Sequence, residues 1–418
     1  MDLTTMSPDA QLAALSRGTV EILPDPGALL ERLRLGAREK RPLRVKQGFD
    51  PTAPDIHLGH TVGLRKLRQF QDFGHQVVLI VGDYTGMVGD PSGRSKQRPQ
   101  LTQEEVESHA RTYLDQFFKV LDPAPAPPRL PVEVHRNGEW FSRMGFMEVM
   151  RLASQYTVAR VLERDDFAKR LQEKQPISLH ELFYPIMQGY DSVAIRADVE
   201  LGATEQKFNL LVGRVLQETH GQPPQIALTL PVLPGLDGVQ RMSKSLGNYV
   251  GVTDEAWDMF GKVMSVPDAV MPLYWRLVTD APEAELEAVE RDLAGSVNPM
   301  LVKKRLAHRI VAMYHGAGAA DRAQQTFETQ FSRRGTPEEL EEFGREQLLG
   351  AQGGAPGIGI VEVLFASGIA RSKAAARRLV EQNAVSVDGQ KVGGLDFPID
   401  PDRPFVVRAG RQMRRYRP

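Results

Sequence analysis

Residues 43–60 read LRVKQGFDPTAPDIHLGH, and this stretch decides which fold the surrounding chain can adopt. Its first part, Leu43 to Phe49, alternates in side-chain character as a strand does. Pro51 and Pro54 then stiffen a connection that can be neither strand nor helix. The stretch ends at a helix entrance, so it predicts a strand that turns sharply into a helix.

The chain beyond this turn completes a strand–helix–strand unit. A helical pattern runs from Thr61 to Phe73 and stops at Gly74. The run from Gln76 to Val81 is almost continuously apolar, as expected of a strand covered on both faces. This order predicts a parallel sheet with a right-handed crossover. Ligands of such sheets bind at the carboxyl ends of the strands.

His57 and His60 stand three residues apart at the helix entrance. On a helix this spacing places both rings on one face, beside N–H groups that have no partner within the helix. Gly59 between them leaves the backbone open to a flat ligand. The corner therefore predicts a site for a nucleoside triphosphate.

Composition limits the class of protein. A chain of 418 residues suggests two or three domains. It contains no cysteine, which excludes disulfides, thiolate metal sites and cysteine nucleophiles. No signal peptide or membrane-spanning apolar run is visible, so we expect a cytoplasmic protein that does not bind membranes.

Charge is distributed unevenly along the chain. Eleven basic and five acidic residues from Arg371 onwards give that segment a net charge of +6. Since the whole chain has a formal charge of −1, the residues before it carry −7. This division suggests a body that performs chemistry and a tail that holds a polyanion.

The loop from Gly82 to Arg98 is rich in glycine, which indicates a backbone that approaches a ligand closely. It carries the carboxylates Asp83 and Asp90 and the cations Arg94 and Arg98. Turn-forming aspartates beside a solvated basic patch would give the same pattern. Carboxylates beside cations also suit a ligand that has both an ammonium group and phosphates.

Two further segments have patterns that point to ligands. Tyr184, Gln188 and Asp191 recur at i, i+4 and i+7, on one face of a helix. Apolar residues between them argue against an exposed helix, so we expect the three to converge on something polar. The segment Arg241 to Ser245 follows the last predicted strand. Alone it indicates an exposed basic loop, although such a loop could also close Lys244 over phosphates.

Taken together, these segments resemble the class I aminoacyl-tRNA synthetases and, more narrowly, the bacterial tyrosyl-tRNA synthetases. His57-Leu58-Gly59-His60 is similar to one signature of the class. Arg241-Met242-Ser243-Lys244-Ser245, about 180 residues later, is similar to the other, with Arg at its first position. The resemblance extends over nearly the whole chain from Leu43.

The resemblance and the chain pattern together predict a Rossmann-like α/β catalytic domain, an all-α domain and a small α+β RNA-binding domain. The expected ranges are an N-terminal helical segment (1–42), the catalytic domain (43–250) with a helical insertion at about 123–175, an anticodon-side helical domain (251–332), a linker (333–356) and an RNA-binding domain (357–418). The last is similar to one first seen in a ribosomal small-subunit protein.

The resemblance also implies which residues bind a tyrosine substrate. Asp191 would accept its phenol, while Tyr184, Gln188 and Asp90 would bind its ammonium. Lys46 stands where many relatives have a tyrosine that touches the phenol, which indicates a subtype. The full expected set is Lys46, Asp50, Asp83, Asp90, Tyr184, Gln188, Asp191 and Gln206.

For ATP, the resemblance implies that His57 and Thr52 meet the β- and γ-phosphates and that Lys244 meets the departing pyrophosphate. The two histidines would supply charge and hydrogen bonds, and Glu205 replaces an aspartate that binds the ribose. The expected ATP-binding residues are His57, Gly59, His60, Glu205, Met242, Ser243, Lys244 and Ser245. The expected catalytic residues are Thr52, His57, His60, Arg94, Arg98 and Lys244.

The implied reaction needs no nucleophilic side chain. The tyrosine carboxylate attacks the α-phosphorus of ATP, and the tRNA's terminal adenosine then takes the tyrosyl group from the adenylate. The enzyme orients the reactants and stabilises charge on the phosphates. Mg²⁺ would come with the ATP, and no resident metal or tightly bound cofactor is expected.

The basic tail is expected to contact tRNA, although a solvated helix face is the alternative interpretation. The expected contacts are Arg371, Lys373, Arg377, Arg378, Arg411, Arg414 and Arg415. Family members are homodimers, so the resemblance implies a homodimer that uses tRNA, L-tyrosine and ATP.

Three alternatives stay open from the sequence. A nucleotidyltransferase would share the HxGH corner but would explain neither the second signature nor the tail. An RNA-binding or regulatory protein derived from a synthetase would not need the intact His57, His60 and Lys244. A tryptophanyl enzyme is the nearest relative within the class, but it normally lacks the C-terminal module.

Overall fold

The structure is a computed structural model of the chain. It describes residues 3–51, 54–91, 102–332, 342–352, 358–382, 384–395, 397–409 and 412–418. The chain divides into two compact units, Met1–Gln325 and Thr326–Pro418, and each is described by itself below.

The strands are β1 (Glu21–Leu23), β2 (Arg44–Phe49), β3 (Gln76–Val81), β4 (Glu133–Arg136), β5 (Val199–Ala203), β6 (Ile226–Leu230), β7 (Glu342–Gly344), β8 (Val385–Val387), β9 (Gln390–Lys391), β10 (Phe405–Ala409) and β11 (Gln412–Arg417).

The helices of the first unit are α1 (Pro8–Ser16), α2 (Pro26–Glu39), α3 (Leu58–Asp72), α4 (Thr85–Val88), α5 (Gln103–Phe117), α6 (Gly138–Phe141), α7 (Phe146–Ala153), α8 (Val158–Val161), α9 (Asp165–Gln172), α10 (Tyr184–Ile195), α11 (Lys207–Thr219), α12 (Ala256–Met264), α13 (Met271–Val278), α14 (Glu283–Ala294) and α15 (Pro299–His315). Then follow α16 (Ala317–Ser332), α17 (Arg345–Gln352), α18 (Ile360–Ala366) and α19 (Lys373–Glu381).

A six-stranded sheet with the order β1-β6-β5-β2-β3-β4 organises the first unit. Its strands from β6 to β4 are parallel, and β1 runs antiparallel at the edge. The chain first adds β3 and β4 on one side of β2 and then β5 and β6 on the other. The α/β fold class with a parallel sheet is confirmed, and the strand order reverses between β2 and β5.

The strand–helix–strand unit predicted at residues 43–81 forms. Every side chain of β3 is buried, as its apolar run requires for a strand flanked by neighbours on both sides. α3 starts at Leu58 and buries an apolar face that includes Val62, Leu64, Leu67 and Phe70. Packing against the sheet therefore fixes the direction in which the His57 corner points.

The N-terminal segment is not purely helical. The sequence predicts a helix from Pro8 to Leu23, but α1 ends at Ser16, and Gly18 has a φ of 71°. The following residues form β1, where the N–H of Val20 donates to the carbonyl of Thr229 at 2.8 Å. This pairing is distant in sequence, so local periodicity could not reveal it.

The insertion also differs from the predicted single helix at Phe146 to Arg164. The chain instead forms α7 and α8. The side chain of Thr157 accepts the N–H of Arg160 and caps α8. A threonine in this position favours a new helix start, which explains the break.

The sequence predicts only helices from Asp254 to about Ser332, at residues 255–264, 272–278, 282–293 and 299–315. The helices α12 to α15 form within one residue of these bounds. α12 packs on α15, and α13 packs on α3. None of the helices in the described ranges is long and apolar enough to cross a lipid bilayer.

The second unit is built on a sheet with the order β7-β11-β10-β8-β9. β7 runs parallel to β11, and the other neighbours are antiparallel. The predicted hairpin at Asp388 and Gly389 forms, with φ values of 49° and 81°. Two consecutive positive φ angles are typical of the tight turn that connects β-hairpins.

The predicted linker at residues 333–356 is partly wrong. β7 and α17 lie within this range, and Phe343 and Leu348 are buried in the core of the second unit. The range is rich in Gly, Glu and Gln, as linkers are. This composition gave no indication that Phe343 and Leu348 belong to a core. Residues 333–341 and 353–357 lie outside the described residues.

Candidate active site

A cavity of about 610 Å³ opens at the carboxyl ends of the parallel strands. Its lining includes Phe49 at the end of β2, Gly82 after β3, Gly202 in β5 and Leu230 at the end of β6. It lies where the strand order reverses, between β2 and β5. This is the position at which open parallel sheets bind their ligands.

Asp191 lies deep in this cavity and is only 3% exposed. Its carboxylate accepts the indole N–H of Trp140 at 3.0 Å and an amide N–H of Asn137 at 3.4 Å. Burial raises the pKa of Asp191 to about 7, although Lys46 and these two donors act in the opposite direction. The group is a desolvated hydrogen-bond acceptor held in one orientation.

Asp50 and Tyr184 line the wall beside it. The Tyr184 hydroxyl donates to one oxygen of Asp50 at 2.8 Å, and the Thr85 hydroxyl donates to the other at 2.7 Å. A Cβ on Gly82 would lie 2.1 Å from Asp50 Oδ1. Glycine at this position therefore leaves the space that the carboxylate occupies.

Asp90, Gln206 and Gln188 form a second polar wall of the cavity. Gln206 donates to Asp90 at 2.7 Å, and Arg164 donates to the other Asp90 oxygen at 3.1 Å. Asn209 donates to the amide oxygens of both Gln206 and Gln188 at 2.8 Å, and accepts from Arg164 at 3.2 Å. These bonds fix the orientation of all three amides.

Lys46, which the resemblance places among the tyrosine-binding residues, does not line the cavity. The side chain is fully buried, and its ammonium donates to Gln188 O, Ser192 Oγ and Glu200 Oε1 at 2.8–2.9 Å. An ammonium group has three hydrogens, and these three partners use them. Lys46 therefore lies beneath the pocket.

Asp83 is the second tyrosine-binding candidate that the cavity lining does not include. Its carboxylate accepts the N–H of Gly138 at 2.7 Å, at the start of α6. It therefore acts as a turn-forming aspartate, which was the alternative interpretation of this loop. Its contact with a substrate stays a prediction.

His57 and His60 lie together at the other end of the cavity, with ring centroids 4.0 Å apart. Nδ1 of His57 accepts the N–H of Gly59, and Nδ1 of His60 accepts the N–H of His57, both at 3.2 Å. Neutral rings with Nδ1 as acceptor carry their proton on Nε2. Both rings can therefore donate through Nε2.

Burial lowers the pKa of His57 to about 2 and that of His60 to about 4, and Lys244 lowers both further. These lowered pKa values favour neutral rings near pH 7, so the structure supports the predicted hydrogen bonds more than the predicted charge. Gly59 also leaves the space that the His57 ring occupies. A Cβ there would lie 3.0 Å from the His57 ring.

The loop carrying the second signature lies beside these rings, and a Cβ on Gly59 would be 3.5 Å from Cβ of Met242. Lys244 is paired with Asp55 at 3.0 Å, and Arg241 with Glu205 at 3.2 Å. The other predicted members of the loop, Met242, Ser243 and Ser245, also line the cavity. Of the remaining ATP candidates, Thr52, Arg94 and Arg98 lie outside the described residues.

In the second unit, Arg371, Arg377 and Arg378 are exposed at the start and along the outer side of α19, which Ser372 caps. Lys373 and Arg415 take part in ion pairs with glutamates at 3.4 and 3.8 Å. Arg414 is half-buried on β11 and donates to the carbonyl of Met413. Arg411 lies outside the described residues.

Several site residues were missed from the sequence. Asn137 and Trp140 hold Asp191, Arg164 and Asn209 hold Asp90 and Gln206, and Glu200 lies under Gln188. A signal existed for Glu200 alone, since it is an acidic residue in a short strand that is otherwise apolar. The others act from loops and helices whose neighbours are distant in sequence.

Comparison with known proteins agrees with this geometry. The family of class I tRNA synthetases (W and Y) matches residues 38–332, and the tyrosine–tRNA ligase SYY-like C-terminal domain matches residues 351–412. The chain is 49% identical to a tyrosine–tRNA ligase of Moorella thermoacetica, over 96% of this chain and 94% of that protein. A tyrosine–tRNA ligase of Mannheimia succiniciproducens is 50% identical over 91% of both chains.

Solved structures show the same fold at lower identity. A C-terminally truncated mitochondrial tyrosyl-tRNA synthetase of Aspergillus nidulans matches 78% of this chain and 94% of its own, with a TM-score of 0.64 and 19% identity. A tyrosyl-tRNA synthetase of Archaeoglobus fulgidus in complex with L-tyrosine matches 76% of this chain and 99% of its own, with a TM-score of 0.59 and 21% identity. On the family match and the sequence relatives, the chain belongs to the class I tRNA synthetases, in the branch of the tyrosine–tRNA ligases.

Proposed function

We propose that the chain attaches L-tyrosine to its tRNA in two steps, with both small substrates activated in the cavity between β2 and β5. One observation supports this most strongly. A single cavity is lined at one end by the buried acceptor Asp191 and at the other by His57, His60 and Lys244. An amino acid with a phenol and a nucleotide with phosphates match these two ends.

The phenol is recognised by Asp191. A carboxylate accepts about four hydrogen bonds, and Trp140 and Asn137 supply two. Phenylalanine would leave this buried acceptor without its third donor, which is costly. Such pockets discriminate by about 10⁵-fold, a value for which tyrosyl-tRNA synthetases are themselves the reference case and which is not calculated from this cavity.

The ammonium of the substrate is bound by the Asp90 carboxylate, the Gln188 amide oxygen and the Tyr184 hydroxyl oxygen. Each can accept a hydrogen bond, and all three line the cavity. Asp90 is buried, and Arg164 and Gln206 donate to its two oxygens. Gln206 extends this wall toward the substrate carboxylate.

At the nucleotide end, Nε2 of His57 and of His60 donate to ATP as neutral groups. Lys244 leaves Asp55 and binds the pyrophosphate as charge develops on it, and Glu205 binds the ribose. Mg²⁺ enters with ATP as part of the substrate. Rate acceleration then comes from the orientation of two bound reactants and from charge stabilisation.

For the second step, we assign tRNA binding to the second unit through Arg371, Arg377 and Arg378, whose exposed guanidinium groups suit phosphates. We further propose a homodimer. Its support is the exposed apolar side of α7, where Phe146 is 77% and Met147 63% exposed.

Pyrophosphate exchange into ATP tests the first step. Exchange should require L-tyrosine, and exchange that depended on tryptophan or on no amino acid would overturn the proposal.

The double variant Arg377→Glu/Arg378→Glu tests the second step. It should reduce tRNA charging about 10- to 100-fold at physiological salt and leave exchange unchanged. Equal loss of both activities would refute the assignment of tRNA binding to these residues.

A further inference from the structure

Lys46 and Glu200 form a fully buried ion pair beneath the amino-acid end of the cavity. They are direct neighbours in the parallel register of β2 and β5, and both have zero exposure. Nζ of Lys46 lies 2.9 Å from Glu200 Oε1. Neither residue lines the cavity.

The pair is bonded to the helix that carries the tyrosine-binding candidates. Lys46 donates to the Gln188 carbonyl and to Ser192 Oγ. Glu200 accepts from the Gln188 amide at 3.2 Å, from Ser192 Oγ at 3.0 Å and from Gln225. Two charged groups on the sheet therefore hold α10 at two successive turns.

This bonding decides which way the Gln188 amide faces. A carboxylate only accepts hydrogen bonds, so Glu200 requires the NH₂ group of Gln188 to point toward it. The amide oxygen then faces Asn209, which donates to it at 2.8 Å. Asn209 requires the same orientation, because Arg164 donates to its amide oxygen and so turns its NH₂ group toward Gln188.

The pair also acts on Asp191, three residues further along α10. Lys46 lowers the pKa of Asp191 and Glu200 raises it. The groups that face Asp191 from the other side, Trp140 and Asn137, are neutral. Asp50 is an acidic residue that lines the same cavity as Asp191, and its carboxylate accepts hydrogen bonds from Tyr184 and Thr85.

We propose that Lys46 and Glu200 are a positioning pair that holds Gln188 and Asp191 in their substrate-binding arrangement from beneath the cavity, without touching the substrate. This inference rests on the proposed function. Lys46 then acts on the bound tyrosine through Gln188 and Asp191, and not through the direct contact that the resemblance implied. Removing Lys46 and removing Glu200 should shift the pKa of Asp191 in opposite directions. A pair that only stabilised the fold would not shift it.

The test is the pH dependence of KM for tyrosine in pyrophosphate exchange, measured from pH 6 to 9. Lys46→Met removes the cation at similar length and should move the midpoint up by about one pH unit. Glu200→Gln removes the anion at nearly the same size and should move it down by a smaller amount, since Glu200 acts on the pKa of Asp191 less than Lys46 does. The midpoint of the double variant should lie between those of the two single variants, and kcat should change less than threefold in all three.

Lys66→Met is the matched control. Lys66 is also a buried lysine, and it donates to the carbonyls of Leu15 and Arg17, away from the cavity. Its loss should lower the melting temperature without moving the midpoint. Shifts of the same sign in both single variants, or an unmoved midpoint with raised KM at every pH, would overturn the proposal.

If Lys46→Met does not fold, Glu200→Gln alone decides, because the glutamine removes the charge at nearly the same size and keeps one accepting oxygen. A downward shift supports the pair, and an unchanged midpoint refutes it. Failure of the proposed function would look different. The wild-type protein would then show no tyrosine-dependent exchange at any pH.

Discussion

The two ends of the cavity are built in different ways. At the amino-acid end, Asp191 and Asp90 are buried and bonded to donors that are themselves fixed. At the nucleotide end, the side chains of Lys244 and Arg241 are 25% and 35% exposed and pair with single carboxylates. Breaking a buried pair is costly, whereas exposed pairs contribute about 0–1 kcal/mol. The cavity thus combines a buried end whose groups are held by several bonds with a more exposed end whose ion pairs can exchange; under the proposed function the first selects tyrosine and the second binds the phosphates.

Asp191→Asn should break the rigid end with the largest effect. The phenol would lose a charged acceptor and meet an amide NH₂ instead, so kcat/KM for tyrosine should fall about a thousandfold, or about 4 kcal/mol. Pyrophosphate exchange at varied tyrosine concentration measures this loss. A loss below tenfold would contradict the role given to Asp191.

The same variant should be more stable above neutral pH. The pKa of Asp191 is raised from 3.8 to about 7 by burial, so the folded state keeps a proton that the unfolded state releases. Stability therefore falls as pH rises from about 4 to 7, by at most about 4 kcal/mol. An asparagine side chain does not titrate and has no such cost of losing a buried proton. The melting temperature of the variant should therefore exceed that of the wild-type protein at pH 8 but not at pH 4. A lower melting temperature at pH 8 would contradict this.

Lys244→Ala should break the exchangeable end with a smaller effect. It should lower kcat for exchange about a hundredfold and leave the Kd for tyrosine within twofold, since Lys244 is at the opposite end. Lys262→Ala is the matched control. Lys262 also lies over the ring of Tyr249, at 5.5 Å, but pairs with Asp254 and Asp258 away from the cavity. Comparable losses in both variants would refute a specific role for Lys244.

The smallest effect should appear in the pH dependence of ATP binding by the wild-type protein. Since the pKa values of His57 and His60 are lowered to about 2 and about 4, neither ring gains charge between pH 6.5 and 8.5. KM for ATP at saturating Mg²⁺ should then stay within about twofold. KM for tyrosine should rise as pH falls through 7, approaching tenfold per unit well below the midpoint, because protonated Asp191 no longer accepts the phenol. An ATP affinity that increased on acidification would instead indicate charged imidazoles.

Local patterns were enough to predict the parallel sheet, the His57 corner and the order of the helices after β6. Each depends on the periodicity of a continuous segment. What they could not provide was pairing between distant segments, such as β1 with β6 or β7 with β11. The direction of Lys46 was missed for the same reason, because its partner Glu200 is 154 residues away in the register of two adjacent strands. The roles of Asn137 and Arg164 depend equally on tertiary contacts.

The place of β11 in the second unit has a consequence for protein synthesis. It lies between β7 and β10, although its residues follow those of the other four strands in the chain. During translation, β7 therefore leaves the ribosome without a partner and waits for Gln412–Arg417. Because Tyr416 on β11 is fully buried against Phe343 and Phe405, this unit can close its core only when those final strand residues have been made. Chains shortened before them would lack the strand that covers Phe343 and Phe405, so we expect their second unit to stay without a closed core.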